Sequence, residues 1–287
     1  MKSIYIDSTI IHSITQDIGL YVLKGIEGLE LPPIRTASFE NPASDGAFLS
    51  NQLYGGRLIS FTGLVSGTCA TDYRSKRDQI ITAFSIEREN GSVTPKTFKF
   101  TTLIDQELQA TFYTKDFSFT DEDVKNGTYR VDLFCPDQRI ESQTLSSLVI
   151  YLFSGGGFAI PFGIPFDMST GGSTTDELTN NGNIDSFLNI TLNGPLTNPT
   201  IDNLTTGEQL TITKTLTTSS ERIEIDTKNR TVLYFSTPTA TGVNALADQS
   251  GDWIFLQPGS NEIKLTNATY NSEASAEFTW RDAYVGV

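Results

Sequence analysis

The residues able to carry out chemistry are few and dispersed. His12 is the single histidine, so neither a Ser-His-Asp triad nor a zinc site of clustered His and Cys can be assembled. Cys69 and Cys135 lack metal-ligand spacing, and we expect both to be buried free thiols. The adjacent acids at 121–123 could suggest a cation site. A calcium loop alternates its oxygen ligands and closes with a Glu, so we interpret them as a solvated turn.

Two further features are only partly compatible with ligand chemistry. The glycines at 155–157 follow a predicted strand, but no helix with a Gly-Lys-Ser/Thr pattern follows, so they predict a turn and not a phosphate loop. Trp253 and Trp280 could stack on sugar rings or lie in a core. The candidates for a ligand or partner surface are Trp280 and Tyr284. A carboxylate pair of the glycosidase kind stays open, because the chain has 34 acidic residues. The sequence therefore predicts a protein that is not an enzyme and holds no metal or cofactor.

The net charge and the hydropathy pattern limit the classes of partner that the protein can bind. The chain has 20 Lys and Arg against 34 Asp and Glu, a net charge of −14. A nucleic-acid binder gathers basic residues to neutralise phosphates, so we expect no stable DNA or RNA binding, although DNA could pass such an acidic surface without adhering. The N-terminus lacks the apolar core of a signal peptide, and the longest apolar run, 148–153, is too short to span a membrane. We therefore expect synthesis in the cytoplasm and no membrane insertion.

The N-terminal half has the pattern of a β-rich domain with one helix. Alternating apolar residues predict a strand over 57–66. A helix is predicted over 72–86, with Thr71 or Asp72 as its N-cap. Its apolar face is formed by Tyr73, Ile80, Ile81 and Phe84. Further strands are predicted at 18–23, 96–104, 108–113 and 128–134.

Residues 37–56 interrupt this pattern. They are rich in Ser, Asn, Gly and Ala and have few apolar anchors. A stretch of this length without structure of its own is usually functional or disordered. We interpret it as a long loop or arm that orders against another molecule, such as a second copy of the chain.

The C-terminal half has the pattern of a β-sandwich. Residues 136–147 are polar and predict a linker. Beyond them, short strands separated by turn residues, without helices, are typical of a sandwich. Hairpin turns are predicted at 227–230 and 258–261. The predicted strands are 148–153, 158–166, 186–192, 208–215, 221–226, 231–235, 253–256, 262–265 and 274–284.

Several stretches, in this order along the chain, resemble the distal tail proteins of long-tailed, non-contractile bacteriophages. They are 32–35 (Pro-Pro-Ile-Arg), 45–47 (Asp-Gly-Ala), 54–63 (Tyr-Gly-Gly-Arg-Leu-Ile-Ser-Phe-Thr-Gly), 133–137 (Leu-Phe-Cys-Pro-Asp), 251–253 (Gly-Asp-Trp), 256–263 (Leu-Gln-Pro-Gly-Ser-Asn-Glu-Ile) and 278–284 (Phe-Thr-Trp-Arg-Asp-Ala-Tyr). Their order and the chain length, more than any single stretch, carry the resemblance.

The resemblance implies a mainly β protein of two domains. Residues 1–140 would be a ring-forming domain with one α-helix and an arm at about 37–56, and residues 148–287 a galectin-like β-sandwich. The protein would be a structural virion component of the tail tip or baseplate. Six copies would form a ring that joins the tail tube protein to the tail-associated hub or fibre proteins and lets DNA pass. The arm residues that would contact the next subunit are Phe39, Asp45, Phe48, Leu53, Tyr54 and Arg57.

Two other functions stay open. A carbohydrate-binding adhesion module of the tail, which contacts host surface glycans or receptor-binding proteins, is supported by the sandwich and its aromatic residues. The sugar-binding runs of galectins are missing, since no histidine follows His12 and Ile254 follows Trp253 where those proteins have Gly. A tail enzyme that cleaves the cell wall is disfavoured by the lone histidine, while a carboxylate mechanism stays open.

Overall fold

The fold divides into two compact units. A computed structural model describes residues 1–49, 51–152, 172–269 and 271–287. Unit 1 comprises Met1–Gln143 and Tyr284–Val287, and unit 2 comprises Thr144–Ala283. The predicted turn at 155–157 and strand at 158–166 lie outside the described residues. Within the described parts of the chain, no helix is long and apolar enough to cross a membrane.

Unit 1 is built mainly from antiparallel strands. They are β1 (Ser3–Ile6), β2 (Thr9–Ser13), β3 (Leu20–Val22), β4 (Ile34–Arg35), β5 (Ser38–Glu40), β6 (Ala47–Leu49), β7 (Leu53–Tyr54), β8 (Arg57–Ser66), β9 (Glu87–Glu89), β10 (Ser92–Thr94), β11 (Lys96–Thr101), β12 (Glu107–Asp121), β13 (Asn126–Cys135) and β14 (Ile140–Ser142). The main sheet has the order β2-β1-β11-β12-β13-β8-β3, and β14 pairs with β12. The predicted strand at 57–66 is confirmed. Residues 136–143 of the predicted linker are folded into unit 1, where Ile140 of β14 is fully buried.

The single α-helix of the described residues, α1 (Ala70–Phe84), packs on β8. Its Phe84 ring lies 5.5 Å from that of Phe117 and 6.2 Å from that of Phe61. The buried face is formed by Tyr73, Ile80, Ala83 and Phe84. Ala83 replaces the predicted Ile81, which is 37% exposed. This aromatic layer accounts for the helix, because an isolated helix of this length would be marginal in water.

The helix begins two residues earlier than predicted. Cys69 is its N-cap, and the Cys69 sulfur accepts a hydrogen bond from the Asp72 N–H at 3.5 Å. Asp72 lies within the first turn, where its carboxylate accepts a bond from the Thr68 N–H at 2.8 Å. The prediction of Thr71 or Asp72 as the cap is therefore wrong. The expectation of a buried thiol is confirmed for Cys135 and wrong for Cys69, which is exposed.

The other end of α1 is capped by a buried lysine. The Lys96 ammonium donates to the carbonyl oxygens of Thr82 and Ala83 at 3.2 and 3.0 Å, and lies 2.8 Å from a carboxylate oxygen of Glu87. The last carbonyls of a helix lack partners within the helix and carry partial negative charge, so a cation stabilises them.

Unit 2 consists of short antiparallel strands. They are β15 (Ser146–Tyr151), β16 (Gly172–Asn180), β17 (Leu188–Asn193), β18 (Leu196–Thr197), β19 (Thr200–Asn203), β20 (Glu208–Ile212), β21 (Thr215–Leu216), β22 (Arg222–Asp226), β23 (Thr231–Phe235), β24 (Val243–Asn244), β25 (Gln249–Gly251), β26 (Gly259–Asn267) and β27 (Ser275–Trp280). The last strand of the chain, β28 (Ala283–Tyr284), spans the boundary at which the assignment returns to unit 1. A short 3-10 turn covers Leu246–Asp248.

Two sheets of unit 2 contribute to one hydrophobic core, as predicted for a sandwich. Their orders are β15-β27-β17-β22-β23-β24 and β16-β26-β19-β20-β25. The predicted hairpin turn at 227–230 joins β22 to β23, and the Asp226 carboxylate accepts a bond from the Asn229 N–H at 2.9 Å. The predicted hairpin at 258–261 is wrong, because β26 pairs with β16 and β19 and not with the residues just before it.

The Lys96 cap gives a stability prediction. We expect Lys96→Met to lower the free energy of unfolding of unit 1 by roughly 2 kcal/mol, because two helix carbonyls lose a charged donor. Urea unfolding followed by far-UV circular dichroism measures this change. Lys99→Met, on the opposite face of the same strand, is the control. Equal effects of the two substitutions would contradict the capping role.

Candidate assembly site: the arm and its root

Residues 31–49 and 51–56 form a β-hairpin, which we call the arm from here on and which begins before the predicted arm at about 37–56. β4 pairs with β7 and β5 with β6, and Phe39 lies directly opposite Phe48. The Asn41 N–H donates to the Gly46 carbonyl at 3.0 Å and closes the tip, and Gly46 has a φ of 110°, which favours glycine. The arm predicted as a loop therefore has regular structure of its own.

The arm exposes an unusual amount of apolar surface. Phe39 and Phe48 are 65% and 63% exposed. The other exposed apolar side chains of the arm are Leu31, Ile34, Leu49, Leu53 and Tyr54. An isolated two-stranded hairpin is marginally stable in water, and contiguous exposed apolar surface marks sites of protein–protein contact. The arm therefore has the properties of a surface that is completed by another molecule.

The root of the arm is held by one buried guanidinium. Arg57, which is 1% exposed, donates from Nη1 to the carbonyl oxygens of Gly28 and Glu30, both at 2.8 Å. Its Nη2 donates to the carbonyl oxygens of Gln138 at 2.8 Å and Val285 at 2.7 Å. The rigid fork of an arginine suits several acceptors at once. Three backbone segments of unit 1 thus meet at one side chain that extends from a fourth, β8.

Backbone packing completes the root. Gly28 has a φ of 91°, and a Cβ there would lie 1.9 Å from the Leu58 carbonyl oxygen. A Cβ at Gly56 would lie 2.9 Å from the Phe134 ring. The Gly55 N–H donates to the Pro33 carbonyl at 2.7 Å. Side chains are excluded at the points where the arm leaves and re-enters unit 1.

The Arg57 guanidinium is a buried cation whose hydrogen-bond acceptors at the root are backbone carbonyls. Burial lowers the pKa of Arg57, while the nearby Cys135, Asp137 and Glu30 act in the opposite direction. Burial raises the pKa of the Cys135 thiol to about 12, so this thiol is protonated at neutral pH. The root is a structural anchor without a reactive thiolate.

The structure separates the sequence-predicted arm residues. Phe39, Phe48, Leu53 and Tyr54 lie on the arm with exposed side chains, and the exposed Asp45 lies in its tip turn. The prediction that Arg57 belongs to the contact surface is wrong, because its side chain is buried in its own chain. A signal existed in the sequence: Arg57 has the same strand parity as the buried Ile59, Phe61 and Val65.

The predicted ligand surface of unit 2 is not supported at its main residue. Trp280 is 7% exposed and its indole N–H donates to the Thr179 carbonyl at 2.9 Å. The prediction that it faces a ligand is therefore wrong, because it belongs to the core. Tyr284 is half-buried against the core of unit 1, and its role as a partner surface stays a prediction.

The remaining chemical candidates have structural partners. The Asp123 carboxylate accepts bonds from the Lys125 and Asn126 N–H groups at 2.6 and 2.8 Å, in keeping with a turn. His12 Nδ1 accepts a bond from the Val22 N–H at 3.3 Å. Among the residues that the structure describes, no three His, Cys, Asp or Glu side chains are placed to hold a metal ion.

Comparison with protein families identifies most of unit 2. Residues 181–284 match the family described as the C-terminal domain of the siphovirus-type tail component. Over these residues the chain is similar to that family. The resemblance to distal tail proteins is confirmed over this domain, which holds the last three of the stretches that carry it.

Solved structures extend the similarity beyond the tail component domain to the whole fold. The chain is similar to the phage SPP1 Dit (gp 19.1) protein, described as a paradigm of the hub adsorption apparatus in phages infecting Gram-positive bacteria, with a TM-score of 0.61, 12% identity and 98% of each chain covered. Two structures of the phage p2 baseplate in its activated conformation, with Ca and with Sr, give TM-scores of 0.54 and 0.52 at 12% identity. The matches cover 96% and 99% of this chain and 94% and 99% of those chains. No curated protein sequence matches the chain.

Removal of the guanidinium tests the root. We expect Arg57→Met to destabilise unit 1 by about 3 kcal/mol or more, because buried carbonyls lose their donors. Arg57→Lys should recover only part of this, since one ammonium cannot reproduce the fork. Chemical denaturation of the purified variants measures the changes. Arg74→Met, at an exposed helix position, should change stability by less than about 0.5 kcal/mol. A neutral effect of Arg57→Met would contradict the anchor.

His12 gives a prediction of pH dependence. Burial, and next the positive N-terminus, lower the pKa of His12 below its ordinary value of 6.5. The unfolded chain then binds a proton at higher pH than the folded chain, so this contribution to stability is complete above 6.5 and is lost as the pH falls from 6.5 through the lower folded pKa. An NMR titration of the single imidazole should give a folded pKa below 6.5. The contribution should vanish in His12→Gln, and a folded pKa above 6.5 would contradict the sign.

Proposed function

We propose that this protein is a structural component of a phage tail tip or baseplate whose copies close into a hexameric ring. The ring would join the tail tube protein to the tail-associated hub or fibre proteins. The observation that carries the proposal is the agreement of fold along 98% of both chains with a phage hub protein, together with the tail component domain at 181–284.

The arm supplies an independent physical argument for self-association. Its apolar side chains are largely exposed among the residues that the structure describes. Identical head-to-tail contacts close into rings when the rotation per subunit allows it. Burial of one exposed phenylalanine against a neighbour contributes roughly 1.5–3 kcal/mol. Two such side chains at each subunit boundary give a contact strong enough to order the arm.

The charge of the chain suits a channel for DNA. A net charge of −14 repels phosphate, so DNA would traverse a ring of such subunits without stable binding. Location in the virion tail follows from the proposed role.

The carbohydrate-binding alternative is weakened because the side chain of Trp280 is buried. Trp280 was the aromatic side chain most suited to stack on a sugar, and it lies in the core of unit 2. Trp253 is also partly buried against that core, so we favour the structural role.

Substitution of the arm phenylalanines tests the proposal. Purified wild-type protein should form ring-shaped particles of six-fold symmetry by negative-stain imaging, with a matching mass by mass photometry. Phe39→Ser combined with Phe48→Ser should shift the population to single copies at equal concentration, because the buried apolar area at each boundary is lost.

Exposed apolar residues of unit 2 provide the control. Leu204 and Val243 are 49% and 62% exposed, so Leu204→Ser combined with Val243→Ser removes comparable apolar surface away from the arm. This variant should retain the rings. A wild-type protein that stays a single copy at micromolar concentration would refute the ring, and rings that survive the arm substitutions would refute the role of the arm.

A further inference from the structure

The end of the described chain lies on the segment that leads into the arm. The Val287 N–H donates to the Leu29 carbonyl at 3.1 Å, and the Val285 carbonyl accepts from Arg57 Nη2 at 2.7 Å. Tyr284 packs against the core of unit 1. Residues 284–287 therefore contact both the entry to the arm and the side chain that anchors its return.

The fit between the two segments involves backbone atoms. A Cβ on Gly286 would lie 2.9 Å from the Glu30 carbonyl carbon, 3.0 Å from its oxygen and 3.3 Å from the Leu31 nitrogen. Real Cβ atoms are essentially never found closer than 3.0 Å to other heavy atoms. Any side chain at this position would displace the backbone immediately before the arm.

We propose that Tyr284–Val287 is a strap that positions the arm for assembly. The strap supplies one of the four carbonyl oxygens that Arg57 binds, and its Val287 N–H binds the carbonyl of Leu29, just before the arm. It thereby fixes the direction in which the arm leaves unit 1. This inference rests on the proposed function, because the arm is the contact between copies. Residues more than two hundred positions away in sequence thus determine whether the arm can reach its neighbour.

If residues 284–287 only filled the core, their substitution would have a different effect on hydrogen exchange. Residues that only fill the core change the free energy of unfolding and affect all amides of unit 1 alike. A strap changes local opening at the arm root more than global stability. The amide that reports on the root is Gly55 N–H, which donates to the Pro33 carbonyl.

The test compares Gly286→Val with Gly25→Val in the full chain. Gly25 is also in unit 1, and its Cβ would meet nothing within 4 Å, so it is the matched control. We expect Gly286→Val to speed hydrogen exchange of the Gly55 amide about tenfold or more, with a smaller change at the amides of the central strand β13. It should also reduce the ring fraction in mass photometry, and Gly25→Val should behave as wild type.

A milder variant covers the case in which Gly286→Val does not fold. Val287→Pro removes one N–H donor and leaves the glycine in place, and the same exchange and assembly effects are expected at smaller size. Wild-type exchange at Gly55 and a wild-type ring fraction in both variants would overturn the strap. If wild-type protein forms no rings, the proposed function fails, and faster exchange at Gly55 would still support the strap.

Discussion

The buried guanidinium of Arg57 holds together four backbone segments that no single strand connects. A cation is costly to bury, and hydrogen bonds to the carbonyl oxygens of Gly28, Glu30, Gln138 and Val285 compensate for part of its lost water. Each acceptor is a backbone carbonyl, so the site depends on the path of the chain more than on the identity of the neighbouring side chains. The arm is thereby firmly held at its root, whereas its tip lies in solvent.

The contrast between root and tip fits the proposed role of the arm as a contact between copies. Near the root, glycines let backbones approach closely, and Gly56 leaves room for the Phe134 ring. Beyond it, Phe39 and Phe48 form a cross-strand pair that the described part of the chain leaves mostly exposed. In a single copy this apolar surface stays in contact with water, which is unfavourable, and in the proposed assembly it would be buried. A firm root restricts the directions of the arm, which lowers the entropy lost when it binds.

The sequence correctly predicts elements that follow from local alternation of apolar and polar residues or from turn residues. It does not predict features that depend on contacts between residues far apart in the chain. The strand at 57–66 and the turn at 227–230 follow from side-chain parity and turn chemistry. The arm hairpin was missed because its strands are two or three residues long, and Trp280 was misjudged because its burial depends on an opposing sheet. The Arg57 anchor could be foreseen only as an inward-facing position, since its four acceptors lie 27 to 228 residues away and are backbone carbonyls, for which a sequence carries no signal.

Electron cryo-microscopy of the purified, assembled protein tests the central claim most directly. The account predicts a closed ring in which density for residues 34–54 of every copy lies against the next copy, with the rings of Phe39 and Phe48 buried at that contact. A particle in which the arms extend into solvent, or in which the copies meet only through unit 2, would contradict it.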